Sequence, residues 1–226
     1  MLRRTAGVLL LTVALAACDS SPDTSGPLPD GTGLVAAARS SIDAWHSVRF
    51  DFTVSGTIPG LDVRDVKGQA SRDGRASGQA DVQQSTNRFQ LTFLMDSSTL
   101  YLTDQHGARK QEPLPADYNP VLLLGSARGL PRLLGDATGL KTETREDVKG
   151  VETYRVTGEL ARDVVSTVLP QIQSDVDVKF WVTQREPREL VRVWMQVPPR
   201  QPNEGAVMLE LALSDVNAPM TTAPPG

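Results

Sequence analysis

Three observations predict an α+β fold built on one large antiparallel sheet. Apolar and polar residues alternate with a period of two in about ten segments, and about four short stretches show helical spacing instead. The two patterns do not alternate as β-α-β units, so the helices gather on one face of the sheet. A sheet of about ten strands cannot stay flat, because strand twist makes it curl. Helices on the concave side of a curled sheet enclose a space, and periodicity leaves open whether side chains fill it.

The first element, residues 34–46, is Ala-rich and amphipathic, with Leu34, Ala37, Ala38, Ser41, Ile42 and Trp45 near helical spacing. Alternation starts at Val48. Val48, Phe50, Phe52, Val54 and Ile58 share one face, while Arg49, Asp51, Thr53, Ser55 and Thr57 share the other. Pro59-Gly60 marks a turn. Residues 61–71 and 74–82 are weaker strands, rich in Gly, Ser and Gln. Phe89, Leu91, Phe93 and Met95 alternate again, and Leu100 and Leu102 follow a tight turn near Asp96. One apolar and one wet face make this stretch an antiparallel meander.

The middle of the chain breaks the pattern. Asn119-Pro120 reads as an N-cap with proline at the first helical position, ahead of Val121, Leu122, Leu123 and Leu124 and a stop at Gly125. A second short helix ends in Leu130-Pro131-Arg132-Leu133-Leu134 before Gly135. Both are too apolar all round to lie on a surface, so they are buried or face something apolar. Strands return at residues 140–148 and 151–158, joined by a Lys149-Gly150 hairpin turn. A helix with Val164, Val165, Val168 and Leu169 ends at Pro170, and strands at 176–183, 190–197 and 206–215 close the domain.

Ahead of the domain, Arg3-Arg4, an apolar run over residues 7–16 and the small residues before Cys18 read as a secretory signal peptide. The run is about ten residues, against roughly 20 needed to cross a bilayer. Leu15-Ala16-Ala17-Cys18 matches the bacterial lipobox, which implies cleavage after Ala17 and a diacylglyceryl group on the thiol of Cys18, the only cysteine. The alternative is an ordinary signal peptide with an incidental cysteine. The organisation expected is a signal peptide at 1–17, an acylated Cys18 with a flexible tether through 33, one domain at 34–216, and a disordered Pro-rich tail at 217–226. Without Arg3 and Arg4 the whole-chain charge of −4 falls to about −6. A mildly acidic chain with no basic cluster argues against nucleic acid and against docking on anionic lipid through a polybasic patch. With its one thiol acylated the fold rests on packing alone.

Enzymatic constellations are missing. The histidines are His46 and His106, and no His-Glu-x-x-His, Cys-x-x-Cys, Gly-x-Ser-x-Gly or P-loop pattern occurs. The Gly-rich stretch 125–129 lacks phosphate-cradle spacing. His106 sits in a turn composition, and His46 ends the first helix, where a cationic side chain suits the dipole. Glu146 with Asp147, or Glu186 with Glu189, are conceivable acid/base pairs, but each falls in or beside a polar hairpin turn and reads as solvated. No enzyme activity, cofactor or metal is expected.

The segment from Lys149 to Gly158 (KGVETYRVTG) resembles the signature of the mycobacterial LppX/LprA/LprF/LprG lipoprotein family. The helix from Arg162 ending in Leu169-Pro170, the strand Val178-Lys179-Phe180-Trp181-Val182, Leu190-Val191-Arg192, the opening Val48-Arg49-Phe50-Asp51-Phe52 and the lipobox agree, over roughly residues 34–216. The charged stretch 183–189 with Pro187 and the Gly- and Ser-rich strands before Val82 depart from the family pattern.

This resemblance implies a half-barrel sheet, similar to the carriers LolA and LolB, with helices over its concave face and a large apolar cavity between. It further implies a membrane-anchored protein on the extracytoplasmic side that binds acylated lipids or lipoglycans and moves them from the plasma membrane toward the outer envelope. The expected cavity walls are Phe50, Phe52, Val54, Phe89, Leu91 and Phe93 from the sheet, with Val121, Leu122, Leu124, Leu130 and Leu133 from the helices. For several acyl chains the volume should reach or exceed roughly 1,000 Å³. The expected partners are an acylated lipid or glycolipid, the membrane through the anchor, and a membrane transporter, with the chain itself a monomer. The rival readings are a structural or partner-binding envelope lipoprotein with a filled core, and a cofactor-free hydrolase.

Overall fold

A computed structural model describes residues 22–96, 98–114, 120–125 and 128–220. The signal stretch, Cys18, Asn119 and residues 221–226 lie outside them. The first half of the chain gives α1 (Gly31–Ile42) and strands β1 (Ser47–Ser55), β2 (Val63–Ser71), β3 (Arg75–Gln84), β4 (Asn87–Asp96), β5 (Thr99–Asp104) and β6 (Arg109–Pro113). A short 3₁₀ helix (Pro120–Leu124) and α2 (Leu130–Asp136) follow. The second half gives β7 (Thr138–Val148), β8 (Val151–Leu160), α3 (Arg162–Val165), β9 (Val176–Thr183), β10 (Leu190–Val197) and β11 (Val207–Ser214).

All eleven strands form one antiparallel sheet in the order β6-β5-β4-β3-β2-β1-β11-β10-β9-β8-β7. Each half of the chain is a meander, and β1 paired with β11 joins them (Phe50 opposite Leu213, Phe52 opposite Leu211). The sheet is open, with β6 and β7 at its two edges. Strand β6 is the one element the alternation missed. Arg-Lys-Gln-Glu-Pro carries no apolar period because an exposed edge strand has neither face buried. The β7–β8 hairpin is as expected: Val148 pairs with Val151 across Lys149 (φ 53°) and Gly150 (φ 85°), the positive-φ pair that a two-residue turn needs.

Helix α1 starts at Gly31, three residues earlier than expected, because Asp30 is the cap: its Oδ2 accepts from the Gly33 amide at 2.7 Å. It ends at Ile42, so His46 lies beyond the helix and takes no part in its C-terminus. That end is served instead by Arg72, whose guanidinium donates to the carbonyls of Ile42 (2.8 Å), Trp45 (2.9 Å) and Leu124 (3.0 Å). The expected tether is shortened too. Asp23 exchanges both backbone hydrogen bonds with Arg145 of β7 (2.7 and 2.8 Å), and residues 23–30 lie along that strand's free edge. At the other terminus, Asn217 and Ala218 are held to His46 and Ser47 (2.6–2.9 Å) rather than belonging to a loose tail.

The helices cover the concave face unevenly. Helix α1 packs over β7, β8 and β9, where Ile42, Val156, Leu160 and Phe180 are fully buried. The 3₁₀ helix lies over β2 and β3, and α2 bridges it to α1 and α3. One half of the trough is therefore filled by the long helix, and the other is roofed by short ones.

Candidate functional site

Under the short roof lies a cavity of about 370 Å³. Residues of β5, β4, β3, β2, β1, β11 and β10 all face it. Seven neighbouring strands at about 4.8 Å spacing would extend roughly 29 Å if flat, so sharing one small cavity requires the curl. The walls are apolar except at Arg128, Gly129 and Thr167. Among the described residues no group of His, Cys, Asp and Glu could hold a metal ion.

Seven of the expected wall residues line this space: Phe50, Phe52, Leu91, Phe93, Leu122, Leu130 and Leu133. Three do not. Val54 is buried beyond the cavity, Phe89 sits half-exposed near the start of β4, and Leu124 is buried facing away, with its carbonyl taken by Arg72. Alternation assigns a residue to a face but not to a height along the strand, which is why Val54 and Phe89 are misplaced. The side chain of Val121 lies outside the described residues. Val193 and Met195 of β10 and Leu211 of β11 also line the cavity, and nothing local in the sequence shows that those strands reach it. Thr167, Val168 and Leu169 after α3 also line it.

The floor rests on a device that composition obscured. One row across the sheet reads Phe50, Gly68, Gly78, Phe93 in register, so two glycines stand between two phenylalanines. A Cβ at Gly68 would come within 3.1 Å of the Phe50 ring and 3.2 Å of the Phe93 ring. A Cβ at Gly78 would come within 2.9 Å of the Phe93 ring and collide with the Lys67 carbonyl oxygen. The glycines let both rings lie over the backbone, where side chains would otherwise stand. The Gly-rich strands thus shape the cavity floor.

The volume corrects the expectation of 1,000 Å³ or more. At about 370 Å³ it falls low in the roughly 300–1,000 Å³ range of ordinary ligand sites. Two things reduce it: α1 fills the β7–β9 half of the trough, and the rings of Phe50 and Phe93 with Met95 and Met195 project into the rest.

Exposure along the walls locates the opening. Met95, Leu100, Ala70 and Ala76 are buried, whereas Leu91, Leu102, Val66 and Ala80, on the same strands, are half-exposed. The cavity therefore opens at the β3–β4 corner of one sheet end, where Leu61 beside the β1–β2 turn stays buried, and is closed at the end with the β2–β3 turn. At that closed end Arg72 ties α1 to the 3₁₀ helix. Beside it, hydrogen bonds from Arg75 and then Ser71 hold the Asp73 carboxyl at a pKa of about 2, below its ordinary 3.8.

The conceivable acid/base pairs are far from this chemistry. Glu146 is not solvated: its side chain is 14% exposed, and its carboxylate pairs with Arg155 at 3.2 Å and accepts from the Trp181 indole N–H on the convex face. Asp147 Oδ1 accepts from Gly150 N at 2.6 Å within the hairpin, and Glu186 pairs with Arg188 at 2.8 Å at the surface. His106 lies in an exposed turn, its amide donating to Asp104. No helix among the described residues is long and apolar enough to cross a membrane.

Comparison with known proteins agrees with this architecture. The chain is 23% identical over 220 residues to the lipoarabinomannan carrier protein LprG of Mycobacteroides abscessus, covering 96% of this chain and 94% of that one. Its fold matches the crystal structure of LprF from Mycobacterium bovis with a TM-score of 0.74 at 22% identity, over 89% of this chain and 99% of the other. The lipoprotein LppX of Mycobacterium tuberculosis matches with a TM-score of 0.63 at 16% identity, over 84% and 96%. The model of the LppX_LprAFG lipoprotein family matches residues 30–222, and the chain belongs to that family.

Proposed function

We propose that this protein is a membrane-anchored lipoprotein of the extracytoplasmic side, acylated at Cys18. It takes acyl chains of lipids or lipoglycans into its cavity and carries them from the plasma membrane toward the outer envelope. The observation that carries this reading is an open-ended cavity walled almost wholly by apolar side chains. Exposing a sixteen-carbon chain to water costs on the order of 10 kcal/mol, at roughly 0.8 kcal/mol per methylene. A dry preformed space offsets most of that cost. At about 370 Å³ the cavity is small for several chains, and we assign it one. Further chains of a multi-acylated cargo would lie along the half-exposed rim of Phe52, Val63, Val66 and Leu102. The name of the related LprG, a lipoarabinomannan carrier, supports a lipoglycan as cargo here.

Native mass spectrometry of the chain lacking Cys18, expressed in its own host, should show bound acylated lipid; empty protein removes the proposal. Leu91→Trp and Leu122→Trp separate a carrier from a filled-core lipoprotein. In an open cavity either indole occupies the vacant space, leaves the urea midpoint nearly unchanged and abolishes lipid uptake. In a packed interior each would cost about 1–3 kcal/mol.

A further inference from the structure

We propose that residues 23–30 are a docked strap that holds the acylated N-terminus at the closed end of the sheet, so that the cavity mouth points away from the anchoring bilayer. This rests on the acylation of Cys18 proposed above. The strap is a built contact. Asp23 and Arg145 exchange backbone hydrogen bonds at 2.7 and 2.8 Å, and the Arg145 guanidinium donates to the carbonyls of Ser25 (2.6 Å) and Pro27 (2.8 Å). The Thr142 hydroxyl donates to the Pro29 carbonyl at 2.7 Å, and Asp30 then caps α1.

The direction follows from these pairings. Asp23 lies opposite Arg145 and Pro29 beside Thr142, so the segment runs antiparallel to β7. Its N-terminal side therefore leaves toward the β7–β8 hairpin. That hairpin, the β9–β10 turn and the β2–β3 turn lie at one end of the sheet, as Thr153 opposite Thr183, Leu190 opposite Val182, Arg49 opposite Ser214 and Ser47 opposite Ser71 require. The cavity is closed at this end and opens at the other.

Five residue steps separate Cys18 from Asp23, a reach of at most about 17 Å. With the strap docked the closed end is thus kept near the bilayer. Releasing it adds residues 23–30 to the tether and lets the domain turn its mouth to the same membrane. Docking and release of the strap would then distinguish delivery from loading.

The test uses the full mature acylated chain in phosphatidylcholine vesicles containing a rhodamine-labelled lipid acceptor. A donor dye is placed on Glu152→Cys, near the β7–β8 hairpin, or on Thr86→Cys, in the β3–β4 turn; both positions are exposed. Energy transfer should be several-fold stronger from Glu152→Cys, and the difference should shrink in Arg145→Ala, which removes both guanidinium bonds to the strap but keeps the Asp23 backbone pair. The milder Thr142→Val, which removes one strap bond and keeps the volume of the side chain, should reduce it. Equal transfer from both sites in the otherwise unaltered chain, or a difference as large in the double variant Arg145→Ala/Thr142→Val as in the unaltered chain, overturns the proposal while leaving the anchor in place. Protein that fails to float with the vesicles overturns the acylation reading and this proposal together.

Discussion

At the scale of single residues, the cavity depends on what two glycines omit. Gly78→Ala places a methyl group against the Lys67 carbonyl and 2.7 Å from the Gly68 Cα, both backbone atoms that cannot swing aside. The β2–β3 pair must separate, so the substitution should cost about 3 kcal/mol, read as a lowered urea midpoint. Relief by Phe93→Leu should be minor, because the collision with the Lys67 carbonyl persists. Asp73 offers a different test. Its folded pKa of about 2 lies below the ordinary 3.8, so its contribution to stability is complete above pH 3.8 and is lost as pH falls through about 2. The side chain is 56% exposed, so the contribution stays below about 1 kcal/mol. Carboxyl NMR should show its titration near pH 2, and Arg75→Ala should move it toward 3.8.

At the scale of elements, Arg72 joins parts that no contact in sequence connects. From the β2–β3 turn it saturates carbonyls at the C-terminus of α1 and at the end of the 3₁₀ helix. Hydrogen bonds from a charged donor contribute about 1.5–3 kcal/mol each, less where water competes. Arg72→Ala should therefore cost about 2 kcal/mol, with the midpoint lowered and the denaturant slope unchanged. The same residue shows where sequence reading ends. Strands with one buried face, the Lys149-Gly150 hairpin and the oily middle helices were legible, because period and turn chemistry are local. The start of α1 was missed because Gly31 and Gly33 look like linker until the Asp30 cap is seen. The C-terminus of α1 invites pairing with His46 just beyond it, although a guanidinium 30 residues away supplies the bonds. The cavity residues were mostly legible by face, and those misplaced, Val54, Phe89 and Leu124, depend on height along the strand or on the turn of a short helix.

At the scale of the whole molecule, the sheet carries two kinds of interior. Over β7–β9 helix α1 completes a dense core, in which Leu160 is wholly buried. Over β1–β5 the roof is short, and Leu91 is half-exposed at the edge of an empty space. The same deletion should then have different consequences in the two halves. Leu160→Ala loses its transfer energy and also leaves a new void, so it should cost about 3–4 kcal/mol. Leu91→Ala removes atoms that already border a void, creates no separate cavity, and should cost about 1 kcal/mol. Urea midpoints of the two variants in lipid-free protein measure the contrast. Equal losses would mean that the cavity wall is packed as tightly as the core. Adding a bound acyl chain should narrow the gap, because Leu91 then has a hydrocarbon neighbour to lose, whereas Leu160 keeps the surroundings it had.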